Sequence, residues 1–346
     1  MFTFLSFLVV FGIVVLFHEA GHFLVAKLAG IKVYEFSIGF GPRLLMFKRK
    51  GTVYGINAFP LGGAVRLAGL DELAKEKAKP SETYQHKSWG IRAGVLIAGP
   101  LMNIVLAFLI FVLAFSVIGV PQKASNVIMS VFPDSVAERA GWQAGDKITY
   151  FQGEKVTDMS KIIQKIHISQ GQQLSFLLVR EGKTFPAKLK PHYYPEQKIA
   201  LLGINLKPLY YQRYSPWQAI QKGSVQTYLV TKEILRGFLS LIVGQAKLKH
   251  IAGPIGIAKL SGEAASQGWL IFLQFIAILS INLSIINLLP IPALDGGRLV
   301  FLVAEKIIGR KINIEKERFI HYLGFGFLIL LLIFITLQDL KRMFNF

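Results

Sequence analysis

The sequence predicts a polytopic α-helical membrane protein: four transmembrane helices, a small cytoplasmic, membrane-associated β-hairpin or sheet, and one small α/β domain outside the membrane. Three observations carry this. Of 346 residues, 53% are apolar and the mean hydropathy is +0.48, too apolar for an ordinary soluble protein. Charged residues still make up 17%, too many for spans alone, so polar segments must lie between them. The longest apolar runs each reach the about 20 residues that a hydrocarbon core roughly 30 Å thick requires.

The runs are Phe2 to Ala26, Gly94 to Val120, Trp269 to Pro292 and Ile320 to Leu337. The first has no Lys or Arg before Lys27 and no small-x-small cleavage site after its apolar core, so it reads as a retained span rather than a signal peptide. Eleven basic residues lie between Lys32 and Arg92, and six between Arg298 and Arg318. A four-span path puts these two segments on one side, and their charge makes that side cytoplasmic. Loops 27–93 and 296–319 are then inside, and the long segment from Pro121 to Gly268 is outside. The excess of 39 basic over 20 acidic residues suits anionic lipid headgroups, and no nucleic-acid module accompanies it. With no cysteine, disulfides and thiolate-ligated zinc are excluded.

The first span is interrupted by His18-Glu19-Ala20-Gly21-His22. Two imidazoles four residues apart share one helix face and can grip one metal ion, with the glutamate between them as a hydrolase base. Polar groups at membrane depth are costly, which argues against accident. A catalytic zinc takes three protein ligands and keeps an open position. Asp295, in Leu294-Asp295-Gly296-Gly297, is the best third ligand, although alone it would read as a turn-forming aspartate. Both the first and third spans run inward, so His18, His22 and Asp295 end at similar depth. His86, His167, His192, His250 and His321 read as surface or packing histidines. Zinc brings the pKa of its water to about 7, and Glu19 would take the proton and pass it to a leaving amine, giving peptide-bond hydrolysis. Just before Asp295, Pro290 and Pro292 break the helix, which lipid depth tolerates only against protein or a water-filled cavity. Asn282 and Asn287 either bond between helices or, for Asn287 beside the break, contact substrate backbone.

His18-Glu19-x-x-His22 together with Asn287-x-x-Pro290-x-Pro292-x-Leu294-Asp295-Gly296-Gly297 resembles the site-2 protease family of zinc intramembrane metalloproteases, close to its bacterial RseP-type branch. Phe36 to Pro42, Pro60 to Val65, Gly99-Pro100-Leu101-Met102-Asn103 and Gly253 to Ala258 resemble further family segments, so the likeness runs end to end. The resemblance implies cleavage of single-span membrane proteins already trimmed outside, such as anti-sigma factors, in regulated intramembrane proteolysis, and of leftover signal peptides.

The chain divides into a first catalytic half, 1–120, an outer domain, 121–206, a connecting segment, 207–268, and a second catalytic half, 269–346. In the outer domain Val127 to Phe132, Lys147 onward and Leu174 to Val179 read as strands, and Ser135 to Ala140 and Met159 to His167 as helices. This order resembles a bacterial PDZ domain, of which the chain has room for one. Its role is peptide capture by strand addition or, as the resemblance favours, a size filter. Trp217 to Leu248 is amphipathic and reads as an interfacial or short re-entrant helix; as a fifth span, Ile234 to Val243 is too short.

A substrate helix must unwind before its carbonyls can be attacked, and a sheet edge can replace its lost bonds. Val53 to Phe59 and Ala64 to Leu67 read as a hairpin around Pro60-Leu61-Gly62-Gly63, with Gly62, Gly63 and Val65 as substrate-contacting residues. Two alternatives compete: an intramembrane metal transporter using the same three ligands, and a membrane scaffold working through its outer domain. Neither needs Glu19 as a base.

Overall fold

The computed structural model describes residues 2–70, 78–195, 197–244 and 253–344. His250 and the last residues of the amphipathic segment lie outside them. The chain forms two compact units, one from Met1–Leu113 with Pro216–Phe346 and one from Ala114–Ser215.

In the first unit α1 (Phe2–Leu28) is closed by a Schellman turn, with Ile31 N–H donating to Ala26 O at 2.9 Å and Gly30 at φ +65°. Strands β1 (Val33–Arg49) and β2 (Thr52–Leu67) follow. Their turn is Lys50-Gly51, both at positive φ as a tight two-residue hairpin requires. This corrects the hairpin expected around Pro60–Gly63. Val53 to Ile56 and Gly63 to Arg66 do not pair with each other, because the first half of β1 lies between them: Phe36 is opposite both Tyr54 and Val65. Each long strand bends midway, β1 where Gly39 and Gly41 take φ near +84° and +88°, β2 at Gly62, φ +104°. The order across the sheet is therefore Arg43–Arg49, Thr52–Asn57, Val33–Ile38, Gly63–Leu67. Buried Glu35 on the third segment faces Arg43 at 3.1 Å and Arg66 at 3.6 Å, one from each outer segment.

Helix α2 (Trp89–Leu113) packs on α1 at glycine distance: a Cβ on Gly21 would lie 2.2 Å from Ala98 O. The helix of the apolar second run thus begins at Trp89, earlier than Gly94.

The second unit opens with a π-helical turn, Ala114–Ile118. It then contains β3 (Val120–Val131), α3 (Val136–Arg139), β4 (Lys147–Phe151), β5 (Glu154–Lys155), α4 (Met159–His167), β6 (Leu174–Arg180), β7 (Lys183–Leu189), β8 (His192–Tyr194), β9 (Ile199–Leu201) and β10 (Ile204–Gln212). The main sheet runs β10-β3-β4-β6-β7, with β5 on β4. Helix α4 buries Met159, Ile162 and Ile166, a three-then-four spacing, against Ile128, Ile148, Phe151 and Phe176. Asp158 caps it by accepting from Ser160 N–H at 2.9 Å, and Ser135 caps α3 by accepting from Glu138 N–H at 3.1 Å. Asp146, almost fully buried, receives Arg180 Nε at 2.6 Å and Nη2 at 2.8 Å, which pins β4 to β6. A cavity of about 870 Å³ lies between α4 and β10, lined by Met159, Ile163, Ile166, Leu202, Ile204 and Leu206 among others.

The first unit resumes with α5 (Pro216–Ile242), α6 (Pro254–Ser266), α7 (Trp269–Leu288), α8 (Asp295–Ile308) and α9 (Ile314–Phe344). The amphipathic segment is thus one 27-residue helix rather than a short re-entrant one. It lies against α2, where a Cβ on Gly223 would sit 2.7 Å from Val112 Cγ2. Helix α7 bonds to α2 through Ser280 Oγ to Asn103 O at 2.9 Å and Ser284 Oγ to Pro100 O at 2.7 Å. A half-buried pair, Arg92 with Glu305 at 2.7 Å, and Trp89 Nε1 donating to Leu302 O at 2.9 Å join α2 to α8. Four helices among the described residues are long and apolar enough to cross a bilayer: Phe2–Leu28, Trp89–Ile118, Trp269–Leu288 and Glu315–Lys341. Helix α5 is not one of them, and its polar content explains why.

Candidate metal centre

Helical geometry places His18 and His22 one turn apart on α1, and Asp295 opens α8, at the far end of the proline-broken stretch. The structure brings all three together. His18 Nε2 and His22 Nε2 are 3.2 Å apart, and Asp295 Oδ2 lies 3.2 Å from the first and 3.4 Å from the second. Three ligands at about 2.0–2.1 Å from one tetrahedral zinc ion stand about 3.3–3.4 Å from each other. The donor set is therefore spaced as zinc needs it. Two imidazole nitrogens and a carboxylate oxygen converge on one point, the kind of donor set that zinc takes. These three are a cluster with metal-ligand geometry among the described residues.

The orientation of His22 is set from outside the cluster. A backbone carbonyl can only accept, so the 2.7 Å contact to Val95 O puts the ring proton on Nδ1 and leaves Nε2 free to bind metal. The ring lies on Gly99, where a Cβ would be 2.2 Å from Nε2. Glycine is needed at 296 and 297 for a like reason: a Cβ would come 2.2 Å from Leu289 O at the first and 2.3 Å from Ile291 O at the second. The loop from Leu289 to Leu294 thus folds tightly over the start of α8 and delivers Asp295 to α1.

Glu19 stands next to His18 on the helix, and its Cγ would be 2.7 Å from a Cβ on Gly63. Among the described residues the Gly63–Leu67 segment is an outer strand of the sheet, and its Gly63 end runs past Glu19. Val65 is half-buried opposite Phe36, and Gly62 forms the bend. Asn287 lies half-buried in the last turn of α7. His86 bonds to Thr83, and His167 and His192 line the cavity of the other unit. The Val95 carbonyl and the seat at Gly99 were not assigned from sequence. A main-chain acceptor leaves no sequence signal, and the Gly99-Pro100 pair signals only an unusual backbone.

Comparison with known proteins agrees with this chemistry. The family model described as Peptidase family M50 matches residues 6–331. The zinc metalloprotease RasP of Geobacillus kaustophilus is 33% identical, with 98% of each chain covered. The regulator of sigma-W protease RasP of Bacillus subtilis is 32% identical, with 99% of each chain covered. Among solved structures, the PDZ domain of an SdrC-like protein from Listeria monocytogenes matches 25% of this chain and 90% of its own, at 25% identity and a TM-score of 0.22. With the family model and full-length relatives in agreement, the chain belongs to peptidase family M50, the site-2 proteases, and is a zinc metalloprotease.

Proposed function

We propose that this metalloprotease cuts within the membrane-spanning helix of single-span proteins. The observation that carries the reading is the meeting of His18, His22 and Asp295 at zinc-ligand spacing, beside Glu19 and an outer strand of the sheet. His18, His22 and Asp295 are the metal ligands. Zinc, when bound, acidifies water and polarises a carbonyl oxygen. Glu19 is the general base: its carboxylate takes the attacking water's proton and returns it to the leaving amine nitrogen. The edge strand at Gly63 and Val65, with the bend at Gly62, pairs with unwound substrate backbone and replaces the bonds lost from its helix. Asn287 bonds to the same extended segment.

The four apolar helices support a multi-pass protein of the bacterial inner membrane, with loops 27–93 and 296–319 cytoplasmic. The 114–215 unit is read as a single PDZ-like domain on the outer side, on the strength of its strand and helix order. It acts as a size filter that admits substrates already trimmed outside. The Bacillus subtilis relative is called a regulator of sigma-W protease, which supports anti-sigma-factor-like substrates here; leftover signal peptides are a second class.

The test is Glu19→Gln. A protease keeps its zinc, loses cleavage and accumulates uncut spanning peptides that membrane mass spectrometry identifies. A transporter would retain metal flux, and a scaffold would retain function; either result would displace this reading.

A further inference from the structure

Ala293, two residues before Asp295, has φ +79°. A Cβ disfavours that left-handed region. Every other non-glycine residue with positive φ among those described is a lysine, a glutamine or an acid; Ala293 alone is apolar. Its side chain offers no local hydrogen bond to hold the turn, so the restraint must come from elsewhere.

It comes from α9. The Ala293 N–H donates to His321 Nδ1 at 2.8 Å, across 28 residues of chain. For Nδ1 to accept, the ring proton must sit on Nε2. That nitrogen is buried without a hydrogen-bond partner among the described residues, and Glu317 Oε1 stands 3.9 Å from it. The ring rests on Phe301 of α8 at 5.5 Å between centroids. One turn further along α9, Gly324 accommodates Pro292, since a Cβ there would lie 2.4 Å from the proline Cβ. Helix α9 therefore grips Pro292 and Ala293 with a glycine seat and an imidazole acceptor. Both contacts fall on the loop that aims Asp295.

The geometry points to His321 as a positioning residue: by accepting the Ala293 amide it holds the left-handed turn that presents Asp295 to His18 and His22. This rests on the reading of Asp295 as a metal ligand. A histidine that merely packs would be replaceable by any ring of its size. A histidine that acts through its acceptor is replaceable by asparagine, whose Oδ1 can stand where Nδ1 does. It also becomes dispensable once residue 293 adopts positive φ at no cost.

The experiment measures zinc retained by purified full-length protein against increasing chelator, with thermal unfolding as the check on folding. His321→Phe should release zinc about 10–100-fold more readily, the range for losing a group that orients a metal ligand. His321→Asn should stay near wild type. Ala293→Gly added to His321→Phe should restore retention, because glycine takes φ +79° freely. If His321→Phe does not accumulate, His321→Ala takes its place in the same comparison. Wild-type retention by the His321 variant, or failure of Ala293→Gly to rescue it, overturns the inference. Asp295→Asn separates this from the parent reading. If that variant sheds zinc while His321→Phe does not, only the role of His321 fails; if Asp295→Asn holds zinc as wild type does, both fail.

Discussion

Gly99→Ala tests the site most severely, because it adds one methyl group and removes nothing. The new Cβ would stand 2.2 Å from His22 Nε2 and 2.7 Å from both Cδ2 and Cε1, pressing on the face of the ring. Ordinary carbon contacts begin at about 3.5 Å, so ring or helix must retreat by roughly 1.3 Å. The ring is poorly free to do so, since its Nδ1 is held by Val95 O at 2.7 Å and its Nε2 faces His18 and Asp295. Withdrawing helix α2 would strain its bonds to α7, where Ser280 and Ser284 donate to Asn103 O and Pro100 O. Misplacing a catalytic group by about 1 Å costs on the order of 100-fold, and overpacking costs roughly 1–3 kcal/mol of stability. Gly94→Ala is the control on the same helix, because its Cβ would meet only Val25 Cγ1 at an ordinary 4.0 Å. The assay is cleavage of a single-span substrate in reconstituted membranes, with bound zinc and the melting temperature of each variant. Gly99→Ala should lose most of its activity and part of its zinc, and Gly94→Ala should lose neither. A Gly99→Ala enzyme that cuts at the wild-type rate with full zinc would refute the placement of His22 against α2.

Two further perturbations probe other parts of the molecule. Single prolines at Gly63, Ala64 and Val65 remove backbone donors from the outer strand beside Glu19, and at least one should lower cleavage about tenfold, the worth of one bond at roughly 1.4 kcal/mol, while the fold persists; unchanged activity in all three would dismiss strand pairing. In the other unit, the Arg180 guanidinium holds the Asp146 carboxyl below its ordinary value, against the opposing effect of burial. A depressed folded value means that the stabilisation is present above the unfolded pKa of 3.8 and fades as pH falls through the folded one. Asp146→Asn should therefore melt below wild type at pH 7, and the gap should close as pH drops below 3.8; a gap constant over that range would separate Asp146 from acid stability.

Much of this protein is written in neighbouring residues. Apolar runs as long as a bilayer is thick mark the spans, because backbone polar groups in lipid must bond within their own helix. The histidine spacing on α1 follows from 3.6 residues per turn, and the apolar spacing of Met159 to His167 sets out α4 before any contact is known. The need for a third ligand, with the expected path that brings the first and third spans inward, pointed to Asp295 beside His18 and His22. Tertiary structure decided the rest. Val33 to Ile38 slips between two segments that seemed destined for each other, because strand pairing is settled by contacts across the sheet and not by the turn signal at Pro60. The need for glycine at 21 and 99, the carbonyl that orients His22 and the grip of His321 on Ala293 all arise where distant segments touch, and distance along the chain hides them from any local pattern.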